Sequence, residues 1–314
     1  MDGIKIGIIG GTGLGQLLGS GGGEMTRHEV KTPFGSPSDA IMETQWEGLA
    51  VLLLGRHGPG HLLNPSQVPF RANIFALKQL GCTHILASGA VGSLRQEYKP
   101  RDLVVADQII DNTYKRLGTF FDSAAVHVEF AEPFCPVLRK ILAEAGKSLA
   151  EAKKAENPEN SKPGFNVHPN GCYVCMEGPA FSTRAESLMH RLRGGDLIGM
   201  TVCPEAKLAR EAEIPYALVA LVTDYDCWNN KPADTKAAAT PETLLNEIIG
   251  HLNAASGNAM ELIRGALRQI AAEPGVLTDC PAREALKLAI WSDKAAIAPE
   301  EIRRLGAIWG RYFA

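Results

Sequence analysis

The segment from Tyr216 to Trp228 constrains the fold more than any other in this chain. Tyr216 to Leu221 is short, nearly all apolar and bounded by polar residues, the pattern of a strand buried on both faces. It delivers Val222-Thr223-Asp224-Tyr225-Asp226-Cys227-Trp228, which places two carboxylates just past the strand's C-terminal end. Open α/β sheets bind their ligands at that end of their strands. Side chains repeat with period two along a strand, so Asp224 and Asp226 are expected to point the same way. They face either one ligand or one ordinary acidic loop, and the rest of the chain has to decide.

Other strand ends carry similar chemistry. Ile4 to Ile9 reads as a first strand ending in Gly10-Gly11-Thr12-Gly13, a turn whose backbone N–H groups and Thr12 hydroxyl suit a phosphate. It is not the dinucleotide fingerprint, because with Gly11 and Gly13 as the first pair the third glycine falls on Gln16. A second strand, Leu49 to Leu54, delivers Gly55-Arg56-His57-Gly58-Pro59-Gly60-His61. Arg56 offers forked donors to an anion and His57 one more. His57 and His61 would need a helix to converge on a metal, and Gly58-Pro59-Gly60 argues against one.

Phe70 to Leu80 has helical spacing and stops at Gly81; the strand Thr83 to Ala87 then opens into a small-residue turn, Ser88 to Ser93. Leu103 to Ala106, Tyr173 to Met176 and Leu197 to Met200 are further strands, alternating with helices from Pro136, from Ala185 and from Pro204. Cys172 and Cys175 have CxxC spacing but fall on opposite faces of a strand, which suits neither metal nor redox chemistry. His127, in an apolar setting, is open between a packed residue and a ligand. A helix from Thr240-Pro241-Glu242 extends to about Ile270, with a possible break at Ser256-Gly257. From Glu273 onward two short helical patterns remain, Ala282 to Trp291 and Pro299 to Phe313; the second carries an apolar stripe that must dock on its own or a neighbouring subunit.

These readings define an α/β chain: one domain, residues 1–272, with a central mixed and largely parallel β-sheet flanked by helices, and a helical C-terminal appendage, residues 273–314. With 45% hydrophobic and 21% charged residues the composition is globular. A net charge of -3 gives no footprint for nucleic acid or for an anionic membrane surface. Seven cysteines in so long a chain read as reduced, and with neither a signal peptide nor a membrane span apparent the expected location is cytoplasmic.

The ordered set Gly10-Gly11-Thr12-Gly13, Thr32-Pro33-Phe34-Gly35, Arg56-His57-Gly58, Ala131 to Pro136, Glu177-Gly178-Pro179, Arg184-Ala185-Glu186-Ser187, Met200-Thr201 and Thr223 to Trp228 resembles the trimeric purine nucleoside phosphorylase family, in its 5'-methylthioadenosine phosphorylase subfamily. The resemblance runs from about residue 4 to 270. It implies the nucleoside phosphorylase fold, a homotrimer, small-molecule substrates, and phosphorolysis of methylthioadenosine with inorganic phosphate as co-substrate and no metal or organic cofactor. Carried onto this sequence, it implies phosphate on Thr12, Arg56, His57, Thr201 and the backbone of Gly89-Ala90. Met200 would pack on the ribose, with Phe181 and Ser182 bordering the base. Asp224 would be the general acid at the purine and Asp226 a hydrogen-bonding partner for it. Pro241, Leu244 and Leu245 would line the 5' pocket, joined by His127 from the next subunit. In this pattern Gly89 stands where relatives commonly carry threonine or asparagine. The rival readings are a phosphorylase acting on adenosine or on 6-oxopurine nucleosides, a dinucleotide-binding oxidoreductase, and a nucleoside-binding protein without catalysis.

Overall fold

The computed structural model describes residues 3–12, 24–156, 164–229 and 241–313. Among the described residues eleven strands form one sheet: β1 (Lys5–Gly10), β2 (Thr26–His28), β3 (Ile41–Trp46), β4 (Leu49–Gly55), β5 (His84–Ser93) and β6 (Leu103–Val105) come first. β7 (Gln108–Asn112), β8 (Val167–His168), β9 (Cys172–Met176), β10 (Leu197–Gly199) and β11 (Tyr216–Tyr225) follow. β1 lies between β4 and β5, parallel to both, while β3 and β2 extend antiparallel from β4 to an edge. On its other side β5 pairs with β11 along its length, and on the β1 side, past the end of β1, it pairs at Gly92-Ser93 with β10. The sheet therefore forks at β5: from the β1 edge β10 leads to β9 and β7, and from the other edge β11 leads through β6 to β8. Six pairings are parallel and four antiparallel, the mixed and largely parallel sheet expected.

Helices cover both faces, which is why β11 is buried from Tyr216 to Thr223. The helices are α1 (Phe70–Gln79), α2 (Pro136–Glu156), α3 (Arg184–Leu192), α4 (Val202–Glu211) and α5 (Pro241–Ala272), then the short α6 (Pro299–Arg304) and α7 (Gly306–Trp309). α1 ends where Gly81 takes φ +81°, and α3 begins with a capping box between Thr183 and Glu186. α2 and α5 bury Leu138, Leu142, Leu262 and Ile263 against one face of the sheet; α1 and α4 bury Ile74, Phe75, Ala206 and Leu208 against the other. Among the described residues no helix is long and apolar enough to cross a membrane.

Three expectations are corrected. Ser88 to Ser93 is no turn: β5 runs straight through it, because β11 and β10 supply ladder partners to Ser93. α5 has no break at Ser256-Gly257, since Ala255, Ala259, Leu262 and Ile263 are fully buried around it and their packing exceeds the ~1 kcal/mol that a helical glycine costs. Ala282 to Trp291 is one 3-10 turn, Pro281–Glu284, followed by turns rather than a helix.

The C-terminal segment docks on its own chain. Leu286, Ala289, Leu305, Ile308 and Trp309 join the same core as Ile9 of β1, and Trp309 packs 4.8 Å from the Phe121 ring. Glu213 anchors it, accepting from the Leu286 backbone at 2.9 Å and from Tyr312 and Arg311 at 2.6 Å each. Cys280 lies with its sulfur 3.1 Å from that of Cys135, at the start of α2.

Candidate active site

β1 and β4 end side by side, with Arg56 N–H donating to the Gly10 carbonyl at 2.9 Å. Position 11 has no room for a side chain: a Cβ there would lie 2.6 Å from Arg56 Nη1 and 2.8 Å from the Ser88 carbonyl. Thr12 follows, half-buried. Arg56 is fully buried. Nε and Nη2 donate to Glu205 at 2.6 and 2.7 Å, and Nη1 donates to the Ser88 carbonyl at 2.8 Å. Three of its five N–H groups are thus used inside the protein. Tyr216 donates to the same carboxylate at 2.8 Å. Burial works against the guanidinium charge, and Glu205 more than restores it.

His57 Nδ1 donates to the Leu63 carbonyl at 2.8 Å, which fixes its tautomer and leaves Nε2 as the free nitrogen. Burial lowers its pKa to about 4, so the ring is neutral at pH 7. Nε2 is then an acceptor rather than the donor expected from the residue type, fit to take the P–OH of hydrogen phosphate. His61 stacks on this ring at 4.3 Å and 29°. The two rings meet because Pro59–His61 forms a 3-10 turn and positive φ at Gly58, Gly60 and His61 turns the chain back. Stacked faces do not present two nitrogens to one ion.

Gly89, Ala90 and Thr201 come together across the fork. A Cβ at Gly89 would sit 3.5 Å from Thr201 Oγ1, an ordinary contact, so the glycine keeps backbone open beside the hydroxyl. The loop carrying Met200 and Thr201 is held from outside by Arg116, which donates to the Met200 and Cys203 carbonyls at 2.5 and 2.6 Å and to Glu177 at 3.1 Å. Burial pushes Glu177 up, but Ser66, the Tyr114 and Lys115 N–H groups and Arg116 hold it down at about 2.

At the tip of β11 Asp224 and Asp226 both lie beside Gly92. A Cβ there would be 3.7 Å from Asp224 Oδ2 and 3.4 Å from Asp226 Cβ. Asp224 Oδ1 accepts from Thr223 at 2.6 Å. Burial, and then Asp226, raise the Asp224 pKa, while the Thr223 bond and His251 pull it down; the net direction is up. Asp226 is 9% exposed, and its buried Oδ2 has no hydrogen-bond partner among the described residues. The Ser182 carbonyl accepts from Cys227 at 3.3 Å, which brings Ser182 to this loop.

The remaining expected residues stand elsewhere or open. Phe181 is 86% exposed and Leu245 57% exposed. Pro241 and Leu244 begin α5, but their side chains lie outside the described residues. His127 is exposed, its ring 4.6 Å from Trp291 and its N–H on the Ala289 carbonyl, so its contacts are with the C-terminal segment. One group of possible metal ligands occurs among the described residues, Asp111, Cys175 and Cys203, but Lys207 already holds Asp111 at 2.6 Å. Sequence reading missed Glu205, Tyr216, Arg116 and Glu177. The available signal was Arg56 itself: a charge at the end of a buried strand requires a partner of opposite charge.

Sheet, strand-end turns and paired aspartates define a nucleoside phosphorylase fold, and residues 5–268 match the model of the phosphorylase superfamily, to which the chain belongs. Within it the chain is 44% identical over 309 residues to S-methyl-5'-thioadenosine phosphorylase of Geobacter sulfurreducens, covering 98% of each chain. It is 43% identical to the Thermosynechococcus vestitus protein of that name, over 98% of this chain and 99% of the other. A crystal structure of methylthioadenosine phosphorylase from an antarctic soil metagenomic library superposes with TM-score 0.84 at 41% identity, covering 98% of this chain and 99% of that one. The S12T mutant of adenosine/methylthioadenosine phosphorylase from Schistosoma mansoni in complex with methylthioadenosine gives 0.77 at 36%, over 92% and 99%.

Proposed function

We propose that this chain cleaves 5'-methylthioadenosine with inorganic phosphate, giving adenine and 5-methylthio-α-D-ribose 1-phosphate. The observation that carries the reading is the pair at the tip of β11: Asp224 with a raised pKa beside Asp226, whose buried Oδ2 has no partner among the described residues. As the glycosidic bond breaks, positive charge grows on the sugar and negative charge on the departing purine. Asp224, whose pKa burial raises, gives a proton near purine N7 so that the base leaves neutral. Asp226 Oδ2 accepts from the exocyclic amino group of adenine; a 6-oxo purine would set an acceptor against it and leave the carboxylate unpaired.

Phosphate lies under the sugar, held by Thr12, Thr201, the Gly89-Ala90 backbone and the remaining N–H groups of Arg56, with His57 Nε2 accepting its P–OH. There it is both nucleophile and counter-charge to the cationic sugar, and neither a metal nor an organic cofactor is needed. Met200 packs on the ribose, Phe181 and Ser182 border the base, and α5 supplies the 5' pocket through Pro241, Leu244 and Leu245. The same reading implies a cytoplasmic homotrimer. Exposed His127, with Leu288 and Trp291 at 87% and 71% exposure beside it, then completes a neighbour's 5' pocket.

Adenine release from methylthioadenosine, measured beside base release from adenosine and inosine, tests the assignment. Methylthioadenosine is expected to react fastest, and Asp226→Asn, whose amide can both donate and accept, is expected to narrow the preference for adenine over hypoxanthine. Faster cleavage of inosine by the wild type would overturn the adenine reading.

A further inference from the structure

A β-bulge aims the carboxylates. The pairing of β11 with β5 shifts register between Val222 and Asp224, so Thr223 drops out of the ladder. A residue expelled from a ladder leaves backbone groups to be satisfied. Here the Thr223 carbonyl accepts from Nδ1 of His251, 2.9 Å away on α5. The carbonyl can only accept, so the His251 proton is on Nδ1. The Thr223 hydroxyl in turn lies 3.2 Å from the Val91 carbonyl and 2.6 Å from Asp224 Oδ1. One imidazole on a helix thus pins the bulge whose side chain holds Asp224 and leaves Oδ2 facing Gly92.

We infer that His251 is a positioning residue for the reaction: it acts through Thr223 to fix the aim of Asp224 and touches no substrate itself. The inference rests on the function proposed above. It fits the placement of the hydrogen bond, which joins the middle of a helix to the residue next to the general acid, where a small shift is costly to the chemical step. Asp226, whose backbone N–H is held separately on the Ser93 carbonyl at 2.9 Å, keeps its position without His251.

The experiment is a double-mutant cycle with His251→Leu, His251→Asn and Asp224→Asn, followed by phosphate-dependent base release. It uses whichever purine nucleoside the wild-type protein cleaves fastest, so an error in base or 5' preference leaves it intact; a wild type that cleaves none overturns the proposed function instead. His251→Leu is expected to lower kcat about tenfold or more while KM for phosphate stays within about twofold, the pattern of an interaction used only in the transition state. His251→Asn, whose Nδ2 stands at the same bond count from the backbone as Nδ1, is expected to recover most of kcat. In the Asp224→Asn background His251→Leu is expected to cost almost nothing further, because residues acting as a unit are non-additive. An equal loss in both backgrounds, a loss confined to KM, or no loss in His251→Leu would overturn the inference.

Discussion

Arg56 and Glu205 set the electrostatics at the end of β4, and they do so as a pair. Both are fully buried, and Glu205 also accepts from Tyr216. Under the proposed function, the site would offer phosphate directed N–H groups rather than a free positive charge. Removing one member of a buried pair leaves the other uncompensated, which typically costs about 3–5 kcal/mol. Glu205→Gln is expected to lose stability on that scale in denaturant unfolding, while a loss below about 1 kcal/mol, the range of exposed pairs, would contradict the pairing argument.

At the scale of elements, glycines mark where strands approach each other and the ligand. A Cβ at Gly199 would fall inside the Tyr173 hydroxyl, whereas one at Gly89 would meet only Thr201 Oγ1 at 3.5 Å. Gly199→Ala is therefore expected to lower Tm, and Gly89→Ala to keep Tm but raise KM for phosphate; equal Tm values for both would refute the packing difference. Much at this scale was legible in the sequence: β1, β4 and β11 follow from short apolar runs, and α1 and α2 from helical spacing. What was not legible depends on partners distant along the chain. Nothing near Ser88 to Ser93 announces that β10 and β11 will continue its ladder, nothing near Arg56 names Glu205, and the His57–His61 stack depends on positive φ that residue types only permit.

For the whole molecule, buried titratable groups tie stability to pH. His57 and His84 are buried and their pKa values are lowered by burial to about 4. The unfolded chain binds protons there as pH falls below about 6.5 while the native state does not, so their contribution is present above that pH and is lost on acidification toward about 4. Glu211 opposes them: burial raises it to about 7, so its contribution is present below its ordinary value and is lost as pH rises to about 7. Glu211→Gln is expected to raise Tm by an amount that grows between about pH 4.5 and pH 7 and then stays level; a Tm gain independent of pH would show that Glu211 is not the cause.

The central claim joins these scales: a sheet that forks at β5 gathers phosphate and purine groups around one glycosidic bond, and Asp224 supplies the proton. The measurement that tests it most directly is adenine release from methylthioadenosine with and without inorganic phosphate, for the wild type beside Asp224→Ala. The expected result is release only with phosphate, with the sugar recovered as its 1-phosphate and the variant slower by about 10²- to 10⁴-fold. Release without phosphate, or an Asp224→Ala rate within about tenfold of the wild type, would contradict it.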